Sequence, residues 1–105
     1  MAIAKQEHDT MESLDDMRKS IDNIDNAIVA MFAERFKVTD RVGVYKARHA
    51  LPPKDAERES TQFARITALA EAYGLEAEFA EAYLAAMIKR VVERHKAIAA
   101  TLNDE

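Results

Sequence analysis

Arg35 is a charged residue in a place where an apolar one is expected. It completes a row that otherwise reads Leu14, Met17, Ile21, Ile24, Ile28, Met31, Val38, Val42 and Tyr45. Steps of three and four residues make such a row the heptad seam of one long helix. His95 holds the equivalent place in a later row of Leu84, Ile88, Val91, Ile98 and Leu102. An unpaired ion in an apolar seam is strongly disfavoured, so each of the two needs a partner or a ligand. Arg35 could pair with a carboxylate such as Glu59 or Asp55, or set helix register. His95 could be a satisfied core histidine.

A third reading joins both to the other cations. Lys46 follows Arg35 by eleven residues, close to three whole turns, so both side chains leave one face with alpha carbons about 16 Å apart. Long cationic side chains reaching toward each other across that gap leave room for a small dianion. Arg58 opens another helix beside Asp55 and Glu59, where free backbone N–H groups favour anions. The result is a cationic cavity with apolar walls and with acidic groups able to accept from a hydroxyl. Its natural occupant is a small ligand carrying two carboxylates and a hydroxyl.

Arg18 stands 28 residues before Lys46, about 42 Å along the same helix, and cannot reach that cavity within its own chain. If two long helices pack antiparallel, Arg18 of one copy comes alongside the Arg35–Lys46 region of the other. That predicts two identical composite sites in an obligate homodimer; the alternative is a solvated surface arginine.

The elements that must hold these residues are all helical. The first helix is expected from about Leu14 to about His49, roughly 50 Å at 1.5 Å per residue. A domain of about 100 residues has a radius of gyration near 13 Å, so its own chain cannot cover such a rod. A second copy is the economical way to bury the excess seam. Ser13 with Asp16 resembles a capping arrangement at the start, and Gly43 is expected to be tolerated inside the helix. Leu51-Pro52-Pro53-Lys54 ends it, because proline cannot continue a helix. Asp55 is the expected N-cap of helix two, with Glu57 and Glu59 in the favourable first turn. Phe63, Ile66, Leu69 and Tyr73 form its apolar face, Gly74 its C′ residue. Helix three begins near Glu76. The fold class is therefore all-α, three helices in long, short, medium order, one domain over residues 13–105 behind a polar leader from Met1 to about Glu12.

Composition narrows the function classes. Hydrophobic residues make up 49% of the 105 positions and charged residues 32%, with two Gly and two Pro. That is ample for a core and too little punctuation for many β turns. Cysteine is absent, which removes disulfides, thiolate catalysis and Cys-based zinc and fits a reducing compartment. The start carries no apolar signal-like region, and no run is long enough to span a bilayer. A cytoplasmic protein is expected. A net charge of −4 argues against nucleic acid and anionic membranes as partners. No His/Glu pair has metal-ligand spacing, and neither a glycine-rich phosphate loop nor a Ser nucleophile motif occurs, so neither metal nor cofactor is expected. His8 and His49 read as solvated. Lys89-Arg90-Glu93-Arg94-Lys96 alternates charge and reads as ordinary surface; Met11, Met17, Met31 and Met87 read as core filler.

From Leu14 to Ile98 the chain resembles the all-helical class of chorismate mutases. The resemblance rests on Met17-Arg18-x-x-Ile21-Asp22-x-Ile24-Asp25, Ala33-Glu34-Arg35, Val42-Gly43-x-x-Lys46, Pro53-x-Asp55-x-x-Arg58-Glu59 and the Gly74-Leu75 turn. It implies an intertwined homodimeric bundle that rearranges chorismate to prephenate with no cofactor. It further implies that Arg18 of the second copy and Arg35 grip the substrate carboxylates. Lys46 would bond a carboxylate and the ether oxygen of the breaking bond. Arg58 would shape the ring site, and Glu59, with the backbone near Asp55, would hold the ring hydroxyl. His95 falls where many members carry a glutamine facing the ether oxygen, and Val91 where some carry a serine. The same cations would serve an isochorismate pyruvate lyase or a mutase acting on 4-amino-4-deoxychorismate. A non-catalytic helical dimerisation or regulatory module is the rival from another class, and a pure scaffold has no need of cations in its core.

Overall fold

The computed structural model describes residues 12–104, and these hold three helices and no strand. The expected leader lies outside the described residues except for Glu12. Helix α1 runs Leu14–Arg48. Its start is a reciprocal capping box: the Asp16 N–H donates to Ser13 Oγ at 3.0 Å, and the Ser13 N–H to Asp16 Oδ2 at 3.4 Å. The shorter aspartate thus serves where glutamate is commoner. Asp15 and Asp16 in the first turn, with Lys46 and Arg48 in the last, complement the helix dipole.

The end of α1 is set before the prolines are reached. The Leu51 N–H returns to the Lys46 carbonyl at 2.8 Å and the Ala50 N–H to that of Ala47 at 3.4 Å. This is a Schellman turn, and it places Ala50 in the left-handed region at φ 53°. Glycine is the usual residue there because it has no Cβ to crowd the carbonyl.

Helix α2 runs Ala56–Tyr73 and α3 runs Ala77–Asn103. Asp55 caps α2 by accepting the Arg58 N–H at 3.0 Å, and Gly74 closes it at φ 71° with the Leu75 N–H on the Ala70 carbonyl. Glu76 precedes α3 without a side-chain cap bond. Capping and dipole terms each amount to about 0.5–2 kcal/mol, which places the ends but leaves packing to hold the helices.

The chain divides between Arg35 and Phe36. In Phe36–Glu105, α2 packs on α3 around Ala70, Ala80, Leu84 and Met87. Three of the four are near the start and middle of α3, where alanines let the helices approach closely. Phe63, Ile66 and Leu69 are half-buried as expected, but Tyr73 at the end of α2 is exposed, because the chain turns away at Gly74. Against that same α3 lies the last third of α1, joined through the side chains of Phe36 and Asp40 and the backbone carbonyl of Thr39.

The stretch ending at Arg35 is different. None of Leu14, Met17, Ile21, Ile24, Ile28 and Met31 is buried; their exposure runs from 43% at Ile28 to 64% at Met31. Met17 and Met31 are therefore not core filler within one chain, whereas Met87 is, and Met11 lies outside the described residues. Among the described residues no helix is long and apolar enough to cross a membrane.

Candidate active site

His95 is the most buried of the residues singled out for chemistry, at 3% exposure. Its Nε2 lies 2.7 Å from the Thr39 carbonyl oxygen. A carbonyl can only accept, so Nε2 carries the proton and donates. The other ring nitrogen, Nδ1, is shielded from solvent and has no hydrogen-bond partner among the described residues. The ring fits against α1 because residue 43 is glycine: a Cβ there would lie 2.7 Å from His95 Cδ2.

One helical position before His95, Arg94 straddles the same part of α1. Its Nε donates to Asp40 Oδ1 at 2.8 Å, its Nη2 donates to Oδ2, and the guanidinium sits 4.9 Å above the Phe36 ring. The Arg94 hydrogen bond, then its charge and that of His95, hold the Asp40 carboxyl below the usual carboxylate range against the opposing effect of burial. Asp40 in turn raises the Arg94 guanidinium. Arg94 is thus a brace between α1 and α3 rather than ordinary surface.

Lys46, one turn beyond Gly43 on α1, is half-buried and donates to the Pro53 carbonyl at 3.1 Å. An ammonium has three N–H donors, so two stay available for a ligand. Arg35 is half-buried too, with Nη1 shielded and without a hydrogen-bond partner among the described residues. A guanidinium nitrogen in that condition is a donor in want of an anion. Arg18 is exposed.

The carboxylates are already engaged. Glu59 receives Lys54 Nζ at 2.9 Å on both oxygens, with its own side chain only 18% exposed. Asp55 is committed to the Arg58 N–H, so that helix start offers one donor fewer to an anion than the sequence suggests. Arg58 is exposed and Val91 half-buried on α3.

Between α2 and α3 lies a cleft of about 460 Å³ lined by Glu59, Lys54, Lys89 and Lys96 together with Phe63 and Ile88. Among the expected site residues, only Glu59 lines it. The sequence reads Lys89 and Lys96 as ordinary surface and Lys54 only as part of a helix stop, although Lys89 and Lys96 are seven residues apart, two turns along one helix face, a spacing that signals a shared face. Among the described residues no group of three or more His, Asp or Glu is placed to hold a metal ion.

The chorismate mutase type II family model matches residues 17–96. The chain is 35% identical over 71 residues to the T-protein of Haemophilus influenzae, an alignment covering 68% of this chain and 19% of that protein. It is 42% identical over 65 residues to the bifunctional chorismate mutase/prephenate dehydratase of Aquifex aeolicus, covering 61% and 18%. It is 35% identical over 66 residues to the chorismate mutase of Methanocaldococcus jannaschii, covering 63% and 67%. The chain thus spans less than a fifth of the first two relatives and two thirds of the third.

Proposed function

The chain belongs to the chorismate mutase type II family, and on that premise we propose that it rearranges chorismate to prephenate in phenylalanine and tyrosine biosynthesis. The observation that carries the proposal is the extent of the match. It begins one residue before Arg18 and ends one residue after His95, so every site position named above falls inside it. A relative named for the same activity is covered over 67% of its length, which supports reading the matched part as a working unit. In this reading residues 13–105 form one mutase-type domain, acting in the cytoplasm without metal or cofactor.

The rearrangement is pericyclic and needs neither nucleophile nor acid. The protein has to hold the enolpyruvyl arm over the ring in a reactive chair, which is a positioning effect. It also has to place donors where negative charge grows on the ether oxygen as the C–O bond breaks. Arg35 takes one carboxylate, and its unpartnered Nη1 suits that role. Lys46 has two free N–H groups for a carboxylate and the ether oxygen. Glu59 takes the ring hydroxyl with its remaining lone pairs while Lys54 stays bound, and the Asp55 backbone and Arg58 border the ring. Val91 and His95 face the ligand from α3, and His95 reaches the ether oxygen through Nδ1 once that nitrogen takes a second proton and can donate, since the Nε2–H is committed to Thr39.

Arg18 enters from a second copy. The exposed apolar face of α1 from Leu14 to Met31 supports a homodimer, because an apolar stripe of that length is stable in water only when covered. Two composite sites result.

The test is direct assay of the purified protein with chorismate, isochorismate and 4-amino-4-deoxychorismate, following prephenate, salicylate and pyruvate separately. Prephenate from chorismate is the expected product. Salicylate with pyruvate from isochorismate would replace the mutase with a lyase, and no turnover of any of the three would leave a helical dimerisation module.

A further inference from the structure

Gly43 is buried inside α1, where glycine costs about 1 kcal/mol against alanine. The surroundings explain why the cost is tolerated. A Cβ at position 43 would stand 2.7 Å from His95 Cδ2, 3.3 Å from Cγ and 3.0 Å from Ile98 Cδ1. The imidazole therefore lies with its Cγ–Cδ2 edge on the bare α1 backbone. In a five-membered ring the bond opposite Cδ2 is Nδ1–Cε1, so Nδ1 is turned away from Gly43. One turn earlier on the same helix, the Thr39 carbonyl takes the Nε2 proton at 2.7 Å. A mid-helix carbonyl already accepts one intrahelical bond, and its second lone pair is open only to a group that can approach the backbone this closely.

We propose that Gly43 is a positioning residue: with the Thr39 carbonyl it holds the neutral His95 ring as the Nε2–H tautomer and turns Nδ1, an acceptor until the ring takes a second proton, toward a bound ligand. Two independent observations meet in this. The missing Cβ lets the ring in, and the buried, unpartnered Nδ1 is what the ring then presents. A side chain at 43 would push the ring off the helix, lengthen the Nε2 bond and free the tautomer, and it is the displacement of Nδ1 from its place that would cost turnover. The assignment of the ring nitrogens stands by itself. Its catalytic consequence, that Gly43 acts on turnover through His95, rests on the mutase reading.

Long-range proton–nitrogen correlation spectra of the intact protein, labelled with nitrogen-15 at histidine, read the tautomer without any substrate. His95→Gln identifies the His95 signals among the three histidines. The wild-type neutral ring is expected to show the pure Nε2–H pattern. Gly43→Ala combined with Ile98→Val, which removes the second tight contact, is expected to show a mixture of tautomers. It is also expected to lower kcat about tenfold or more with KM little changed, whereas Gly43→Ala added to His95→Ala changes kcat less than about twofold, the signature of two residues acting as one. Should Gly43→Ala/Ile98→Val fail to fold, normal folding of Gly43→Ala/His95→Ala would still assign the clash to the ring. A wild-type Nδ1–H pattern, or an unchanged spectrum in the folded Gly43→Ala/Ile98→Val protein, overturns the proposal. Lack of chorismate turnover beside a locked Nε2–H ring would sink the mutase reading and leave this one standing.

Discussion

Replacing Lys46 with alanine separates two jobs that the structure assigns to one ammonium. The first is mechanical: Nζ donates to the Pro53 carbonyl at 3.1 Å and so ties the end of α1 to the connection before α2. A single intramolecular hydrogen bond at a half-buried position contributes a net of about 1 kcal/mol. In a domain of this size that corresponds to a fall in Tm of about 4–8 °C. The second job is electrostatic. A fixed donor aimed at the ether oxygen in the transition state is worth about 2.7–4 kcal/mol, or about a hundredfold to a thousandfold in kcat. The two magnitudes differ enough to be read independently. Thermal melts followed by helical circular dichroism give the first, and chorismate consumption at saturating substrate gives the second. Lys46→Ala is expected to melt a few degrees lower and to lose at least about a hundredfold in kcat. Lys46→Arg can still donate to Pro53, but its planar fork places charge differently. It is expected to melt near the wild type while remaining slow. A Lys46→Ala protein with the lowered Tm but kcat within about threefold of wild type, less than 1 kcal/mol of barrier, would refute the catalytic role and leave only the tie.

Three further outcomes follow from the same structure. Arg18→Ala and Lys46→Ala chains, each inactive alone, should complement when refolded together. Random pairing makes half the dimers mixed, each with one intact site of two, so recovery of about a quarter of wild-type activity is expected from the two-fold symmetry; no recovery would place Arg18 and Lys46 in the same chain's site, and an Arg18→Ala protein active by itself would remove Arg18 from it. The His95 ring can donate at Nδ1 only after taking a second proton, since Nε2–H is held by Thr39. The charge beside it is Asp40, which is paired with Arg94. kcat should therefore rise as pH falls, and His95→Gln should flatten the profile; a flat wild-type profile counts against this contact. Ala50→Gly should raise Tm by a few degrees, because relief of a left-handed alanine at φ 53° outweighs the entropy that glycine adds to the unfolded chain. An unchanged or lowered Tm would mean that the turn carries no strain.

The parts of this protein written in its sequence are those governed by neighbours within about four residues. Ser13 with Asp16, Asp55 with Arg58 and the glycine at 74 mark helix ends because each bond closes within one turn. The steps of three and four mark the faces for the same reason. Even there the local reading has a limit: the prolines at 52 and 53 mark the stop, yet Ala50 makes the turn, and nothing in an alanine announces a positive φ. The length of α1 against the size of the domain likewise anticipates an apolar face that one chain leaves bare, and Leu14 to Met31 are bare.

Only the tertiary structure decides the contacts made across more than fifty residues of chain. Arg94 bridges to Asp40, and His95 to Thr39, over separations of 54 and 56 residues. Heptad position places His95 in the seam but is the same for either tautomer; which nitrogen is free depends on a carbonyl that helix packing brings within 2.7 Å. Gly43 is a tolerated helix residue when read alone and an obligatory gap once α3 lies against it. The cleft lysines are ordinary charges until α2 and α3 close around Glu59. The physical reason is common to all of them: periodicity tells which side of a helix is apolar, while the identity of the atom that meets that side is set by docking, which no local rule contains.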